Sequence, residues 1–196
     1  MKKITFIVLF ICLVACKNNI NYYSLPLYSS NNILTAVIEI PSGTNKKYEY
    51  NNTSKAFEID QKNGIDRVVQ YLPYLGNYGY FPSTYSDPKK GGDGDALDVL
   101  VLSESVTTGS VVEVIPIGVL KLIDDGELDY KIISIPADPS KQIIKVNSFS
   151  EFSQKYPEVK KIIELWFLNY NKDDEAKIKG WGDEVEALNE IKSNIK

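Results

Sequence analysis

Histidine is absent from this chain of 196 residues, and cysteine occurs only twice. Without histidine, the chain cannot form His-ligated zinc sites, Ser-His-Asp triads or the usual proton shuttle of neutral pH. The two cysteines, Cys12 and Cys16, both lie in the N-terminal leader. A cysteine nucleophile or a disulfide in the body of the protein is therefore excluded. The chemistry that is left relies on oxygen ligands and on cationic side chains.

Positive charge and long apolar runs are also scarce. Lys and Arg together number 22 against 26 Asp and Glu, which gives a net charge of −4. This mildly acidic composition does not indicate a nucleic-acid partner. The apolar run Ile4–Ala15 is shorter than the roughly 20 residues that a transmembrane helix needs. A membrane-spanning segment is therefore not predicted.

The N-terminus has the layout of a secretory signal, because two lysines precede the apolar run and the run ends at Cys16. The sequence LVAC at its end resembles the bacterial lipobox, whose cysteine becomes the lipidated first residue of the mature chain. We expect a signal peptide over residues 1–15, a lipid on Cys16 and a flexible Asn- and Ser-rich tether over residues 16–34. This places the protein in a bacterial cell envelope, anchored to a membrane and either periplasmic or on the cell surface. An ordinary signal peptide with an incidental cysteine is the alternative.

Residues 35–196 predict a single domain with a substantial core. Strand-like runs separated by turn signals occur at TAVIEIP (35–41), KKYEY (46–50), VLVL (99–102), SVVEVIPIGVLKLI (110–123) and YKIISIP (130–136). Short β-branched runs joined by Gly, Pro and Asp turns favour a small closed β-barrel.

The hydrophobic period changes toward the C-terminus. Pro157 suits a first helical position, and apolar residues then recur at steps of three and four. This stripe consists of Val159, Ile162, Ile163, Trp166, Phe167 and Tyr170. A shorter stripe consists of Val185, Leu188 and Ile191. We therefore predict helices packed on the barrel.

Acidic residues crowd into two stretches of the predicted barrel. GGDGDALDVLVL (91–102) places Asp93, Asp95 and Asp98 within six residues. Carboxylates this close resist joint ionisation unless positive charge lies among them. DDGELD (124–129) lies between two other strands and indicates a hairpin loop. Two acidic loops at the strand ends of a small barrel can converge on hard cations such as Mg²⁺. Taken alone, the first stretch also fits a solvated Asp-Gly turn.

The order of several segments, from about Thr35 to Trp181, resembles family I soluble inorganic pyrophosphatases. DGDALDV (93–99) matches the family signature D-G-D-x-x-D-V. The other matching segments are VIEIP (37–41), KKYEY (46–50), DRVV (66–69), NYGYFPSTY (77–85), PIGVLKLIDDGELDYKIISIP (116–136) and WFLNY (166–170). The resemblance implies a mainly β fold with α, namely an OB-like five-stranded β-barrel with packed C-terminal helices. It also implies hydrolysis of pyrophosphate to two phosphates with several Mg²⁺ ions.

The resemblance further implies a role for each matching residue. Asp95 resembles the general base, which accepts a proton from the attacking water. The implied metal ligands are Glu39, Asp93, Asp98, Asp124 and Asp129. The implied substrate-binding residues are Lys47, Arg67, Tyr78, Lys131 and Tyr170, of which Arg67, Tyr78 and Lys131 also count as catalytic. Three further matching positions are expected to contact and orient these residues without binding metal or substrate themselves, namely Glu49, Tyr74 and Asp125.

One departure from the family concerns the end of the predicted helix. The family follows its helix-terminal tyrosine with a phosphate-binding lysine, whereas here Asn171 follows Tyr170 and Lys172 comes one place later. We expect Lys172 to curl back and to serve as that substrate-binding cation.

Two other functions stay open at this point. One is an inactive barrel that binds a metal or phosphate, and the other is a phosphatase that acts more broadly on organic phosphates. The partners that we expect are pyrophosphate and, through the lipid on Cys16, a membrane. The sequence leaves open whether the chain forms a homo-oligomer.

Overall fold

The computed structural model describes residues 20–172 and 175–196. The strands in these ranges are β1 (Thr35–Ile40), β2 (Tyr48–Asn51), β3 (Ala56–Ile59), β4 (Gln61–Lys62), β5 (Ile65–Asp66), β6 (Asn77–Tyr80), β7 (Asp98–Val101), β8 (Val111–Asp124), β9 (Glu127–Leu128), β10 (Lys131–Pro136) and β11 (Lys177–Gly182). The α-helices are α1 (Phe149–Lys155), α2 (Pro157–Asn169) and α3 (Glu184–Ser193). Short 3₁₀ helices occur at Tyr22–Ser24, Pro88–Lys90 and Pro139–Lys141. The predicted signal peptide, the lipid on Cys16 and the first tether residues lie outside the described residues.

Five strands close into a barrel. The antiparallel pairs are β1 with β6, β6 with β7, β10 with β8, and β8 with β1. The remaining pair, β7 with β10, is parallel. β8 spans 14 residues, which is long enough to pair with β1 near its start and with β11 near its end. The predicted OB-like five-stranded barrel is thus confirmed.

The barrel strand β6 is not among the predicted strand-like runs. Its sequence is NYGY, and Gly79 lies opposite Ile38 of β1. A Cβ atom at Gly79 would lie 1.9 Å from the carbonyl oxygen of Val37, so only glycine lets the two backbones approach this closely. The strand-like run 46–50 instead forms β2, which pairs with β3 in a separate hairpin.

The helices cover the barrel, although with narrower apolar faces than predicted. Pro157 is the first residue of α2, as expected. The buried face of α2 consists of Ile163, Trp166 and Phe167, whereas Ile162 is 48% exposed because it lies one helical step off this line. In α3 the buried residues are Ala187 and Ile191, and the prediction that Val185 faces the core is wrong. No helix among the described residues combines the length and the apolar character needed to cross a bilayer.

The N-terminal segment 20–34 packs on the barrel, so the prediction of a flexible tether is wrong from residue 20 onward. Leu27 and Leu34 are buried in one of the core clusters. The backbone N–H of Thr35 donates to the carbonyl oxygen of Leu27 at 2.9 Å. The ring of Tyr22 packs edge-on against Phe57, with 4.8 Å between centroids. The Asn- and Ser-rich composition therefore conceals a docked segment.

Candidate active site

The two acidic loops meet at one end of the barrel. The backbone N–H of Leu128, in the second loop, donates to the carbonyl oxygen of Gly91, in the first, at 2.7 Å. Gly94 adopts a left-handed φ of +86°, which turns the chain between Asp93 and Asp95. The carboxylate of Asp93 accepts the backbone N–H of Asp95 at 3.0 Å and stabilises this turn. The convergence expected from the two stretches is therefore present.

Three carboxylates form a compact group where the loops meet. One oxygen from each of Asp93, Asp98 and Asp129 lies within 4.8 Å of the other two. The ammonium of Lys131 is hydrogen-bonded to both Asp98 and Asp129. Although burial alone lowers the pKa of an ammonium, the carboxylates of Asp129 and Asp98 outweigh it and raise the pKa of Lys131. Positive charge thus lies among the crowded aspartates, as their spacing requires.

Tyr78 extends this group into the barrel. Its hydroxyl donates to Oδ2 of Asp98 at 2.5 Å, and its ring lies 5.6 Å from Nζ of Lys131. Burial, followed by the negative charge of Asp98, raises the pKa of Tyr78 well above its ordinary value, so the hydroxyl stays a donor. Burial also raises the pKa of Asp98, with Lys131 acting in the opposite direction.

Asp95 and Glu39 also line this cavity. In the part of the chain that the structure describes, neither carboxylate is hydrogen-bonded to a lysine or an arginine. Burial, together with the charge of Asp98, raises the pKa of Asp95. Glu39 is 8% exposed, and burial raises its pKa to about 8. Its Oε1 accepts the backbone N–H of Tyr50 at 2.7 Å, which fixes the side chain in place.

Basic side chains also line the cavity. Lys47 and Arg67 are neighbours because the backbone N–H of Lys47 donates to the carbonyl oxygen of Arg67 at 3.0 Å. Asp60 orients both cations: its Oδ2 lies 2.7 Å from Nη1 of Arg67 and 4.0 Å from Nζ of Lys47. Glu49 also pairs with Lys47, at 2.7 Å. The cavity therefore brings cations together with the carboxylates.

The end of α2 completes the cavity with aromatic side chains. Tyr170 is the C-cap residue of α2, and its ring stacks on Trp166 at 4.6 Å and 7°. Tyr74 packs between Trp166 and Tyr78, with centroid distances of 4.7 and 5.3 Å. The indole N–H of Trp166 donates to the carbonyl oxygen of Leu72 at 2.9 Å. These contacts fix the position of Tyr170 at the cavity, which has a volume of about 200 Å³.

Known proteins share both the sequence and the fold. The family model described as inorganic pyrophosphatase matches residues 36–196. The inorganic pyrophosphatase of Neisseria meningitidis serogroup B is 36% identical over 167 residues, which cover 83% of this chain and 87% of that protein. The chain belongs to the inorganic pyrophosphatase family.

Solved structures of inorganic pyrophosphatases agree with this assignment. The Thermus thermophilus structure matches with a TM-score of 0.72 and 31% identity, and covers 90% of this chain and 97% of that one. The Neisseria gonorrhoeae structure matches with a TM-score of 0.67 and 36% identity, and covers 83% of this chain and 89% of that one. The match extends over nearly the whole of each relative, so the pyrophosphatase domain is represented over most of its length.

The donor set of this pyrophosphatase suits hard metal cations. Asp93, Asp98 and Asp129 offer carboxylate oxygens close enough to share an ion. Oxygen ligands are the type that Mg²⁺ and similar ions prefer. The buried ammonium of Lys131 already offsets part of the negative charge at the same carboxylates. Metal binding at this acidic cluster is therefore consistent with both the residues and the family.

The cavity gathers most of the residues predicted for the site. Those that line it are Glu39, Lys47, Glu49, Arg67, Tyr74, Tyr78, Asp93, Asp95, Asp98, Asp124, Asp129, Lys131 and Tyr170. Asp125 is not among its lining residues, and its carboxylate accepts the backbone N–H of Glu175 at 2.9 Å. Lys172 is exposed and lines a neighbouring depression, together with Arg67, Tyr170 and Asn171.

The sequence does not predict Asp60, which lies behind the cavity cations, or two tyrosines of the cavity wall. Asp60 orients the cations, but an isolated aspartate between short strands gives no distinguishing signal. Tyr23 and Tyr80 form an aromatic wall next to Glu39 and Asp95. Tyr80 lies inside NYGYFPSTY, a segment that matches the family, so the resemblance could have indicated it. Tyr23 lies in the segment that the composition predicts to be a tether.

Proposed function

We propose that the protein hydrolyses inorganic pyrophosphate to two phosphates in this cavity. The observation that carries the proposal is the meeting of the Asp93, Asp98 and Asp129 carboxylates with the Lys47 and Arg67 cations around one small cavity. Phosphoryl transfer needs positioning and neutralisation of charge more than covalent chemistry. The family relationship supports the same reaction.

Asp95 is proposed as the general base. Its carboxylate lies at the cavity beside the acidic group, and burial raises its pKa, which makes it a better proton acceptor than an ordinary aspartate. Its Oδ atoms are proposed to accept the proton that the attacking water releases. A histidine is not needed for this step, in agreement with the composition.

Cationic and hydroxyl side chains are proposed to hold the substrate. Lys47 and Arg67 pair with phosphate oxygens, and the planar guanidinium can donate two parallel N–H bonds. Tyr170 donates from the end of α2, while Lys131 and Tyr78 bind from within the barrel. Because Asp60 already holds Arg67 by an ion pair, little side-chain freedom is lost when phosphate binds.

Mg²⁺ is the metal that we propose, with Glu39, Asp93, Asp98, Asp124 and Asp129 as its ligands at more than one position. When bound, divalent cations neutralise phosphate charge and lower the pKa of the attacking water. Without cations, the acidic wall would repel an anionic substrate. The side chains of the protein position the substrate and the metal ions, and Asp95 accepts the proton.

Phosphate release from pyrophosphate and from ATP, each with Mg²⁺ and with excess chelator, tests the reaction. We expect rapid release from pyrophosphate alone, and only with Mg²⁺. Rapid release from ATP as well would favour the broader organic-phosphate phosphatase. If the protein binds Mg²⁺ in a titration but releases phosphate from neither substrate, the inactive binding module would be favoured.

We also propose that the protein is a lipoprotein of a bacterial cell envelope, attached through acyl chains on Cys16. The lipobox-like sequence supports this. Ile20 is docked on the barrel, because its carbonyl oxygen accepts from the Tyr50 hydroxyl at 2.6 Å. Four chain steps from Cys16 to Ile20 span at most about 14 Å. The anchor would therefore hold the barrel close to a membrane, where recovery of phosphate is a reasonable role.

Acyl labelling and membrane fractionation test the anchor. We expect the wild-type protein to carry label and to sediment with membranes, since several acyl chains give stable attachment. Cys16→Ala should lose both properties. Recovery of unlabelled wild type in the soluble fraction with Met1 intact would contradict the proposal.

A further inference from the structure

A second cavity adjoins the active site behind a thin partition. It has a volume of about 520 Å³ and shares three lining residues with the active-site cavity, namely Tyr23, Asp95 and Ala96. Asp95 is the proposed base and Ala96 has only a methyl group. The ring of Tyr23 is therefore the largest side chain that separates the two cavities.

Tyr23 is held firmly in this position. Its ring stacks on Tyr80 with 4.8 Å between centroids and meets Tyr50 edge-on at 5.5 Å. Its carbonyl oxygen accepts the backbone N–H of Ser83 at 2.8 Å, and the hydroxyl of Ser83 donates to the carbonyl oxygen of Leu25 at 2.9 Å. Burial, followed by the charges of Glu39 and Asp95, raises the pKa of Tyr23, so the hydroxyl stays neutral. Contacts of the docked N-terminal segment thus hold the Tyr23 ring between the two cavities.

The second cavity offers polar partners to an anion. Its lining includes Asn52, Tyr85 and Lys196, together with Asp95, which it shares with the active-site cavity. The ammonium of Lys196 lies 5.1 Å from the centroid of the Tyr85 ring, which keeps this cation beside the cavity. The C-terminus is fixed there as well, because the backbone N–H of Lys196 donates to the carbonyl oxygen of Ser83 at 3.0 Å. An additional phosphate group that reached this cavity would find the Asn52 amide, the Tyr85 hydroxyl and the Lys196 ammonium, and this ammonium offsets the charge of the Asp95 carboxylate.

We propose that Tyr23 is a specificity-determining residue, whose ring closes the active site toward the second cavity and so limits the length of the phosphate chain that the site accepts in this direction. This inference rests on the proposed hydrolysis of pyrophosphate. With Tyr23 in place, two phosphate groups occupy the site. With the ring removed, the two cavities join and a linear chain of three phosphate groups fits, with its third group toward Lys196.

Inhibition of pyrophosphate hydrolysis by inorganic tripolyphosphate tests this partition. In Tyr23→Ala the inhibition constant for tripolyphosphate should fall about tenfold or more relative to the Michaelis constant for pyrophosphate, because contacts in a newly opened pocket are worth this much. Tyr23→Phe, which retains the ring, should behave like the wild type. Removal of Lys196 in the Tyr23→Ala background, by Lys196→Ala, should cancel the gain, whereas Lys196→Ala alone should not change the inhibition.

Tyr22→Ala is the matched control. Tyr22 belongs to the same 3₁₀ helix and its ring packs on Tyr50 and Phe57, at 5.1 and 4.8 Å, but it lines neither of the two cavities described above. It should reproduce any general loosening of the segment without the change in tripolyphosphate affinity. Tyr23→Leu, which also removes the ring but stays apolar, replaces Tyr23→Ala if melting curves show that the alanine variant does not fold.

The outcomes separate the partition from the reaction itself. Calorimetric titration with tripolyphosphate in Mg²⁺ measures binding without pyrophosphate turnover. If the wild type does not hydrolyse pyrophosphate, the proposed function is wrong. The titration still shows whether removal of the Tyr23 ring increases the affinity for tripolyphosphate. Folded Tyr23→Ala or Tyr23→Leu protein with wild-type tripolyphosphate affinity, or an equal gain in Tyr22→Ala, would overturn the proposed role of Tyr23.

Discussion

Replacement of Lys131 with methionine tests whether this ammonium holds the acidic group together when cations are absent. Lys131 is 4% exposed and pairs with Asp98 and Asp129. Methionine keeps an apolar stem beside the rings of Tyr78 and Phe167 and removes the charge. Two buried carboxylates then lose their cation, and breaking a buried pair in this way costs about 3–5 kcal/mol. The free energy of unfolding in chelator should fall by this amount.

Mg²⁺ should reverse much of this loss. A divalent cation supplies positive charge to the same carboxylates, and an ion that binds only the folded state stabilises it. The variant should bind Mg²⁺ more tightly than the wild type, because no ammonium competes for the oxygens, yet it should lose catalytic activity. Urea unfolding in chelator and in Mg²⁺, with the midpoint and slope fitted for each protein, measures the effect.

Lys121→Met is the matched control for this measurement. Lys121 pairs with Glu186 at the surface, and a surface pair is worth less than about 1 kcal/mol. Its loss should not depend on Mg²⁺. Equal destabilisation of Lys131→Met in chelator and in Mg²⁺, or a Lys131→Met protein no less stable than Lys121→Met, would refute the reasoning.

Three further predictions concern single residues. In chelator, Glu39→Gln should gain stability relative to the wild type as pH rises from 5 to 8, by about 3–4 kcal/mol, because a buried acid whose pKa rises from 4.5 to about 8 destabilises the fold once the solution pH exceeds its unfolded pKa; melting temperatures that differ by a constant amount across this range would contradict it. Lys172→Ala should lower kcat/KM about ten- to a hundredfold if Lys172 replaces the family's lysine, since a charge-assisted contact is worth roughly 1.5–3 kcal/mol, and Asn171→Lys should then gain little; a silent Lys172→Ala beside an activating Asn171→Lys would reverse the assignment. Asp60→Asn should raise KM for pyrophosphate more than it lowers kcat, because Arg67 and Lys47 lose their orienting carboxylate; an unchanged KM in steady-state assays would contradict this role.

The site was predictable where its residues lie close together in sequence. The spacing of Asp93, Asp95 and Asp98, followed by an apolar strand, already required nearby positive charge. The hydrogen bond between Leu128 and Gly91 explains why the second acidic loop joins the first. That this positive charge includes Lys131 is implied by the family resemblance alone, since a lysine that alternates with apolar strand residues also fits a solvated position.

The rest depends on contacts between distant parts of the chain. The partition by Tyr23 requires the N-terminal segment to dock next to Tyr80, and an Asn- and Ser-rich composition gives no sign of this. Strand β6 exists because Gly79 admits the backbone of β1, which is a tertiary reason and runs against strand propensity. Ile162 and Val185 are exposed because a neighbouring face of each helix meets the barrel. Periodicity alone does not decide which residues at the edge of an apolar stripe are buried.

Pyrophosphate hydrolysis by Asp95→Asn, measured beside its Mg²⁺ binding, tests the central claim most directly. Asparagine keeps the shape of the side chain but cannot accept the proton, and loss of a general base costs about 10²- to 10⁴-fold in rate. Steady-state phosphate release and calorimetric Mg²⁺ titration on the same preparations give both quantities. We predict a kcat lowered by this factor with Mg²⁺ binding retained. Wild-type kcat in Asp95→Asn would contradict the account.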